Sequence, residues 1–377
     1  MKFGAFLPTT NNGYILSTAS PQFMPTFELI KDVTVTAERC GFDYVLSMAK
    51  FRGYGADGDG FWDYATDPLA VMGALIGATS TIGLWGSIGL PTIHPAVAAR
   101  MAATYDDASG GRFAMNIVAG WNKAEYDQMG LWPSDDYYSK RYSYVNEYVE
   151  VLRGLWADGR LTHHGANFDL EDCLVQPRPP HGVPIMIPGQ SASSIELAAE
   201  RADVNFVTGS FDVVAQARRD LVAATAVTGR EVGTSALYGV ITAPTDEEAL
   251  AQLKTFSDAT DVTAFTNLGV AASGDTVGLA ATRYIEPQAI EIDVTFEHPT
   301  RAEVVQGPCL FHPHLVGSYE RVAAFLADLE SEAGVDRVCL SFPDYRADVA
   351  GFAQNVIPRV EALLAASPAV APEVVPA

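Results

Sequence analysis

The sequence predicts an α/β fold, a (β/α)8 TIM barrel with insertions, and three observations lead to this prediction. Eight short apolar runs recur along the 377 residues, and helical stretches separate most of them. A chain of this length with 48% hydrophobic residues can bury a core as large as a barrel requires. The turn from Leu7 to Gly13 lacks the glycine fingerprint of a doubly wound nucleotide-binding sheet. We therefore predict one barrel domain over residues 1–377.

The predicted strands are short and apolar, as the interior strands of parallel sheets are. In chain order they are 3–7, 44–46, 82–85, 113–118, 183–187, 204–207, 236–241 and 338–342. The fourth strand contains a polar residue, Asn116, between apolar neighbours. A buried amide without hydrogen bonds costs about 1–3 kcal/mol. Either the fold or a bound ligand is therefore expected to satisfy Asn116.

Seven helices are predicted from apolar periodicity, and two of them begin with recognisable caps. Their ranges are 26–39, 96–108, 142–156, 194–201, 213–226, 247–256 and 319–329. Ser191 precedes the fourth helix in the manner of an N-cap residue, and Thr245 with Glu248 resembles a capping box before the sixth. The alternation of these helices with the strands favours the barrel.

Three segments depart from the barrel pattern. Residues 51–63 contain four glycines after the second strand and are expected to form a lid loop. Residues 257–314 are expected to form an irregular insertion after strand seven. The proline-containing tail 367–377 is expected to be flexible, or to reach a neighbouring subunit of a homo-oligomer.

The composition argues against several classes of protein. A formal net charge of −22 disfavours a nucleic-acid partner, since such binding depends on clustered Lys and Arg. The four cysteines are scattered, which is typical of reduced thiols. No apolar run approaches the ~20 residues that span a bilayer, and the N-terminal run is too short for a signal peptide. We predict a cytoplasmic protein that does not bind membranes.

Polar residues follow the ends of several predicted strands, where barrel enzymes build their sites. Lys50 follows the second strand, Ser87 the third, and Ser191 the fifth, while Asn116 lies within the fourth. An acid, a base and a phenol then follow the fourth strand, namely Glu125, Arg141 and Tyr142. These residues are expected to converge on one mouth of the barrel.

Several segments together resemble a known family. They are 11–13, 20–28, 46–53, 116–130, 141–142 and 189–191, and the likeness returns at 315–319. In these motifs the chain is similar to the pyrimidine monooxygenases of uracil degradation, which are bacterial-luciferase-like, two-component flavin monooxygenases. The likeness is dense from Met1 to about Gly209 and thinner beyond. It implies the TIM barrel fold already predicted from the pattern of elements.

The resemblance also implies site residues and a reaction. FMN contacts are implied for Ala49, Lys50, Asn116, Glu125, Arg141, Tyr142 and Ser191, and a catalytic oxygen pocket for Leu46, Ser87 and Asn116. The family has Thr where this chain has Ser87. The implied reaction uses reduced FMN and O2, through a flavin peroxide at N5, to oxygenate and open a small heterocycle such as uracil. A separate flavin reductase, driven by NAD(P)H, would supply the reduced FMN.

Each of these residues also has a structural interpretation. Arg141 alone would be expected to pair with Asp135 or Asp136 at the surface. Asn116 could be a satisfied core amide, Glu125 a solvated helix residue, and Ser191 a plain N-cap. His163 and His164 are predicted to lie in a surface turn, and no metal site is expected.

The sequence is also compatible with other functions. The same flavin chemistry could act on a different small heterocycle, a chlorinated aromatic or a sulfone. A coenzyme F420-dependent dehydrogenase and a non-catalytic flavin-binding protein are further alternatives. His312 and His314 precede the matching 315–319 segment, and the family lacks them. They either serve packing and turn polarity or alter the substrate pocket.

Overall fold

The structure is a computed structural model that describes residues 1–55, 60–273, 292 and 294–366. Eight parallel strands close into a barrel in the order β1, β2, β3, β4, β7, β8, β9 and β12, and β12 returns to β1. They are β1 Lys2–Phe6, β2 Tyr44–Ser47, β3 Gly83–Gly89, β4 Phe113–Val118, β7 Ile185–Pro188, β8 Val204–Val207, β9 Gly233–Ala243 and β12 Arg337–Ser341. The predicted TIM barrel fold is confirmed, and each of the eight predicted strands overlaps one of these.

The helices that follow the barrel strands cover its outside. The predicted ones are α1 Phe27–Arg39, α3 Pro95–Ser109, α5 Tyr137–Asp158, α6 Ala192–Arg201, α7 Phe211–Thr228, α8 Asp246–Asp258 and α10 Tyr319–Ser331. The capping box predicted at α8 forms, since Thr245 and Glu248 bond reciprocally at its first turn. Helix α5 begins five residues earlier than predicted. This extension places Tyr138 and Arg141 on the first turns of the helix.

Several elements were not predicted from the sequence. They are α2 Pro68–Ile76, α4 Lys123–Asp127, the antiparallel pair β5 Arg160–His164 and β6 Asp169–Leu174, α11 Tyr345–Asn355 and α12 Ile357–Ala366. His163 and His164 lie in strand β5, so the expectation that they lie in a turn was wrong. His163 contacts Glu147, and His164 contacts Asp169, its partner across the pair.

The segment 257–314 is more regular than predicted. It contains helix α9 Val262–Ser273 and strand β10 Glu303–Val305, and strand β11 His314–Ser318 begins at its end. Strand β11 runs parallel to the second half of β9, and β10 is antiparallel to β11. The expectation of an irregular insertion was therefore wrong for these parts. Residues 274–291 and 293 lie outside the described ranges.

The predicted lid is packed against the barrel mouth in its described part. The Trp62 indole donates to the Gly13 carbonyl at 2.5 Å, and Tyr54, Phe61 and Trp62 are buried. Residues 56–59 of the predicted lid segment and the predicted tail 367–377 lie outside the described residues. No helix in the described ranges is long and apolar enough to span a membrane.

Candidate functional site

The predicted site residues lie near the carboxyl ends of four neighbouring barrel strands or in the segments that follow these strands. β2, β3, β4 and β7 are adjacent in the sheet, so the segments that follow them meet at one edge. The structure groups the predicted residues into three sets: Ser87 with Asn116, Lys50 with Glu125, and Arg141 with Tyr142 and Ser191. The first set is an uncharged chain of hydrogen bonds, the second is an ion pair, and the third combines a stacked guanidinium with two hydroxyls.

The first set is a buried chain of hydrogen bonds from Asn116 to strand β2. Asn116 and Ser87 are paired in register, and the Asn116 amide nitrogen donates to the Ser87 hydroxyl at 2.9 Å. That hydroxyl in turn donates to the Ser47 carbonyl at 2.5 Å. Because the single Ser87 proton is used, the amide orientation is fixed. The Asn116 Oδ1 atom is then left buried without a hydrogen-bond partner among the described residues.

The second set is a buried ion pair that ties the lid to the segment after β4. Lys50 Nζ lies 2.5 Å from Glu125 Oε1 and 2.9 Å from the Tyr54 hydroxyl. Glu125 also accepts from the backbone N–H of Phe51 at 3.2 Å and from Asn122 at 3.1 Å. Burial is the largest single influence on the pKa of Lys50 and acts to lower it, but the charge of Glu125 and the contacts with Glu125 and Tyr54 together raise that pKa. The alternative interpretation of Glu125 as a solvated helix residue is excluded, since only 5% of Glu125 is exposed.

The third set lies where α5 faces the start of α6. The Arg141 guanidinium stacks on the rings of Tyr138 and Tyr142, 4.0 and 4.6 Å from their centroids, and donates to the Tyr138 carbonyl. It forms no ion pair with a described carboxylate, so the expected pairing with Asp135 or Asp136 was wrong. The Tyr142 hydroxyl lies 3.4 Å from the Ser191 hydroxyl.

Ser191 is the N-cap residue of α6, as predicted, but its side chain does not bond a backbone N–H group of the first helical turn. Its hydroxyl lies 3.0 Å from that of Ser194, so the N–H groups of the first turn receive no side-chain cap. Gly189 has φ of +135°, and a β-carbon there would meet Ser194 at 2.6 Å. This turn therefore requires glycine. An exposed helix N-terminus with two hydroxyls, reached by the Tyr142 hydroxyl from the helix that also carries Arg141, suits a phosphate.

Leu46 and Ala49 are the remaining predicted residues. Leu46 is fully buried in β2, one residue before Ser47, which accepts the Ser87 hydrogen bond. Ala49 is half-buried just after the strand. The structure thus places both next to the first two sets. Their expected roles remain predictions.

A cavity of about 750 Å³ opens beside the buried ion pair. The lid, the segment after β4, the start of α5 and helix α9 all contribute to its wall. Tyr54 and Asn122 line this cavity and also bond the ion pair, since the Tyr54 hydroxyl accepts from Lys50 and the Asn122 amide donates to Glu125. The aromatic wall residues Trp132 and Tyr138 could not be identified from the sequence, because Trp132 lies in a loop and Tyr138 lies in the part of α5 that precedes its predicted start at residue 142.

His312 and His314 are buried near the end of β12 and the start of β11. The His312 ring is 2.9 Å from the Ser341 hydroxyl, and His314 Nδ1 is 2.7 Å from the His312 carbonyl. Burial lowers the pKa of His314 to about 4, so its ring is neutral at neutral pH. A β-carbon at Gly239 would meet the His314 ring at 2.0 Å. Such close contacts favour the packing interpretation over contact with a substrate.

No group of three or more His, Cys, Asp or Glu residues within the described ranges is arranged to hold a metal ion. The polar groups of the site are instead amides, hydroxyls, one ion pair and one stacked guanidinium. These suit an organic ligand with a phosphate and a polar ring.

Comparisons with known proteins agree with this architecture. A family model described as luciferase-like monooxygenase matches residues 1–337. The chain is 40% identical over 362 residues to the pyrimidine monooxygenase RutA of Bradyrhizobium sp. (strain BTAi1). This alignment covers 95% of this chain and 96% of that relative. The enzyme of the same name from Acinetobacter baylyi is 39% identical over 362 residues, and the alignment covers 95% of this chain and 94% of that enzyme. Among solved structures, the EDTA monooxygenase from Chelativorans sp. BNC1 superposes with a TM-score of 0.77 at 18% identity. The superposition covers 96% of this chain and 93% of that enzyme.

Proposed function

This chain belongs to the luciferase-like monooxygenase family, and we propose that it uses reduced FMN and O2 to oxygenate a pyrimidine ring such as that of uracil. The observation that carries the proposal is the unpartnered Asn116 Oδ1 atom at the barrel mouth. A buried acceptor without a partner costs about 1–3 kcal/mol in the free protein. A ligand that donates a ring N–H, as reduced flavin does, would remove this cost.

The residues present fit FMN at both ends of the molecule. Arg141, Tyr142, Ser191 and the first turn of α6 would hold its phosphate, which needs local donors because the chain carries a net charge of −22. Asn116 would hold the edge of the ring system. When bound, reduced FMN supplies the electrons that activate oxygen.

The residues of the chain have distinct tasks in this proposal. Asn116 and Ser87 orient the reacting groups, because their amide and hydroxyl are fixed by the bond to Ser47. Leu46 keeps this part of the pocket apolar and dry. The Lys50–Glu125 pair holds the lid against the segment after β4, and this closure excludes water from the reaction.

Reduced FMN would come from a separate flavin reductase driven by NAD(P)H. The support is the resemblance to two-component monooxygenases, together with the absence of a glycine-rich nucleotide fingerprint after the first strand in the sequence.

The proposal is tested by turnover under 18O2 with a flavin reductase, NADH and FMN. We expect one labelled oxygen atom in the product from uracil, detected by mass spectrometry, and no product without reductase. Thymine and cytosine serve as competing rings, and coenzyme F420 replaces FMN in a parallel reaction. NADH consumption that yields only hydrogen peroxide with every ring would contradict the proposal.

Arg141 is expected to contribute to FMN affinity. Arg141→Ala should weaken FMN binding by about 2 kcal/mol, or about thirtyfold, because it removes a charge-assisted contact from a half-buried position. Calorimetric titration with FMN and with riboflavin measures the effect. Riboflavin lacks the phosphate and should bind wild type and variant alike. An equal loss for both ligands would show that Arg141 does not act on the phosphate.

A further inference from the structure

Three arginine side chains meet at the end of the barrel opposite the candidate site. Arg153 lies on α5, Arg201 is the last residue of α6, and Arg230 lies between α7 and β9. Next to them is Asp203, which directly precedes β8 and so lies at the amino end of the barrel strands. Such a concentration of cations is unexpected in a chain with 24 basic and 46 acidic residues. We call these three residues the arginine cluster.

A single carboxylate is shared by two guanidiniums of the cluster. The Nη2 atoms of Arg153 and Arg230 lie 3.1 and 3.2 Å from the carboxylate oxygens of Asp203. The same carboxylate also accepts from the backbone N–H of Ile185 at 2.8 Å. Asp203 carries one negative charge, so it can compensate only one of the two arginines that it contacts.

Arg201 adds a third positive charge without a carboxylate in hydrogen-bond contact. Its Nε atom donates to the Asn146 side chain at 2.6 Å, and its Nη2 atom is 3.9 Å from Glu150, near the outer limit of an ion pair. Its backbone carbonyl accepts from Arg153 Nη2 at 2.9 Å, which holds the two arginines side by side. Within the described part of the chain, the three cations therefore have one carboxylate in close contact and one at the limit.

The cluster is accessible from solvent and incompletely neutralised. The side chains of Arg153, Arg201 and Arg230 are 39%, 30% and 29% exposed. Burial lowers the pKa of Arg230, the charge of Arg153 lowers it further, and Asp203 offsets only part of this. Arg153 Nε and Arg230 Nη1 are buried without a hydrogen-bond partner among the described residues. The fold thus leaves donors of the cluster unused, and an outside anion would reach it through the exposed parts of the three side chains.

We infer that the arginine cluster binds a phosphate dianion, either free or at the end of a small phosphate monoester. The planar fork of a guanidinium matches two oxygens of a phosphate, and three forks from separate elements of the fold can approach one tetrahedral anion from different sides. A dianion also supplies the negative charge that Asp203 alone does not. The inference concerns the base of the barrel and is independent of the function proposed for its mouth.

Calorimetric titration with inorganic phosphate tests the inference, with sodium chloride at equal ionic strength as the reference. We expect one phosphate per chain, bound about tenfold or more weakly by Arg153→Gln and by Arg230→Gln. Arg153→Lys should retain part of the affinity. The matched control is Arg219→Gln, which removes an exposed arginine of α7 that bonds Gln216 and should bind phosphate as wild type does.

A second comparison separates the cluster from the phosphate-binding residues proposed at the barrel mouth. Arg141→Ala should bind inorganic phosphate at the cluster as wild type does, and so should wild type that has been saturated with FMN. Glycerol phosphate is titrated in parallel with inorganic phosphate. Tighter binding of either one supports the inference and shows whether the dianion is free or esterified.

Asp203→Asn gives a result that a cluster serving only the fold would not produce. The substitution removes the charge that competes with phosphate for Arg153 and Arg230, while its amide oxygen can still accept a hydrogen bond. Phosphate should therefore bind about threefold or more tightly to this variant, and the bound phosphate should raise its melting temperature. A lower melting temperature without any gain in phosphate affinity would overturn the inference. It would also be overturned if phosphate bound wild type no better than chloride, or if Arg153→Gln and Arg219→Gln bound phosphate equally well.

Discussion

Replacing Glu125 with Gln is expected to lower the free energy of unfolding by about 3–5 kcal/mol, since it leaves a buried ammonium without its anion. Lys50 and Glu125 are 6% and 5% exposed, and their charged atoms are 2.5 Å apart. The remaining contacts of Lys50 include the Tyr54 hydroxyl, which is neutral and cannot replace a carboxylate. This is the largest change in stability that we expect from a single substitution in the site.

Urea denaturation of wild type and variant measures the effect. The matched control is Asp258→Asn, which breaks the exposed ion pair between Lys254 and Asp258 and should cost less than about 1 kcal/mol. The double variant Lys50→Met with Glu125→Leu should recover part of the loss, because it removes both buried charges. A loss below about 1 kcal/mol in Glu125→Gln would show that water reaches Lys50 and that the pair does not hold the lid.

The Lys50–Glu125 pair also predicts how the stability of the protein depends on pH. The pKa of Lys50 is raised in the folded protein, so its contribution to stability is fully present below the unfolded pKa of about 10.5. It is lost only as the pH rises through the folded pKa. The contribution of Lys50 should therefore be constant across neutral pH.

The barrel could be predicted from the sequence because its strands are apolar on both faces. Strands β5 and β6 were missed for the opposite reason, since most of their residues are polar and at least partly exposed. Helix α2 was missed because it is apolar on almost every side and shows no helical period. Helix α9 is capped by Asp261, whose carboxylate accepts from the Ala264 N–H at 2.9 Å, but the helix itself contains no charged residue and consists largely of small and β-branched residues, so its sequence indicates no clear type of element.

The site was predictable in part. Asn116 could be recognised because a polar residue within an apolar strand demands a partner. The Lys50–Glu125 pair could not, because 75 residues separate the two positions and only the order of the strands in the sheet, with β3 between β2 and β4, brings the segments after β2 and β4 together. Nor could the stacking of Arg141 on Tyr138 be foreseen, since it depends on the early start of α5. Distances across the barrel mouth depend on tertiary structure that no local pattern encodes.

Asn116 and Ser87 form the part of the site where we expect the largest loss of activity. The Asn116 amide nitrogen and the Ser87 hydroxyl are 2.9 Å apart, and both side chains are buried. Removal of one fixed polar group that acts on the reacting atoms typically lowers turnover by about 10²–10³-fold. Asn116→Ala should therefore reduce formation of oxygenated product by about 100-fold or more.

The loss in Asn116→Ala should appear as uncoupling rather than as loss of FMN, because the substitution leaves Arg141 and Ser191, the residues proposed to hold the phosphate, unchanged. The ratio of oxygenated product to NADH consumed should fall while the amount of hydrogen peroxide rises, as measured by mass spectrometry and a peroxidase assay.

Ser87→Ala should show the same pattern more weakly, since the Asn116 amide loses its support but stays in place. Ser87→Thr keeps the hydroxyl that bonds Ser47 and should retain coupling, so it serves as the matched control. If Asn116→Ala keeps the wild-type ratio of product to NADH, the unpartnered Oδ1 atom has no part in the reaction, and the oxygen pocket must lie on other strands of the barrel.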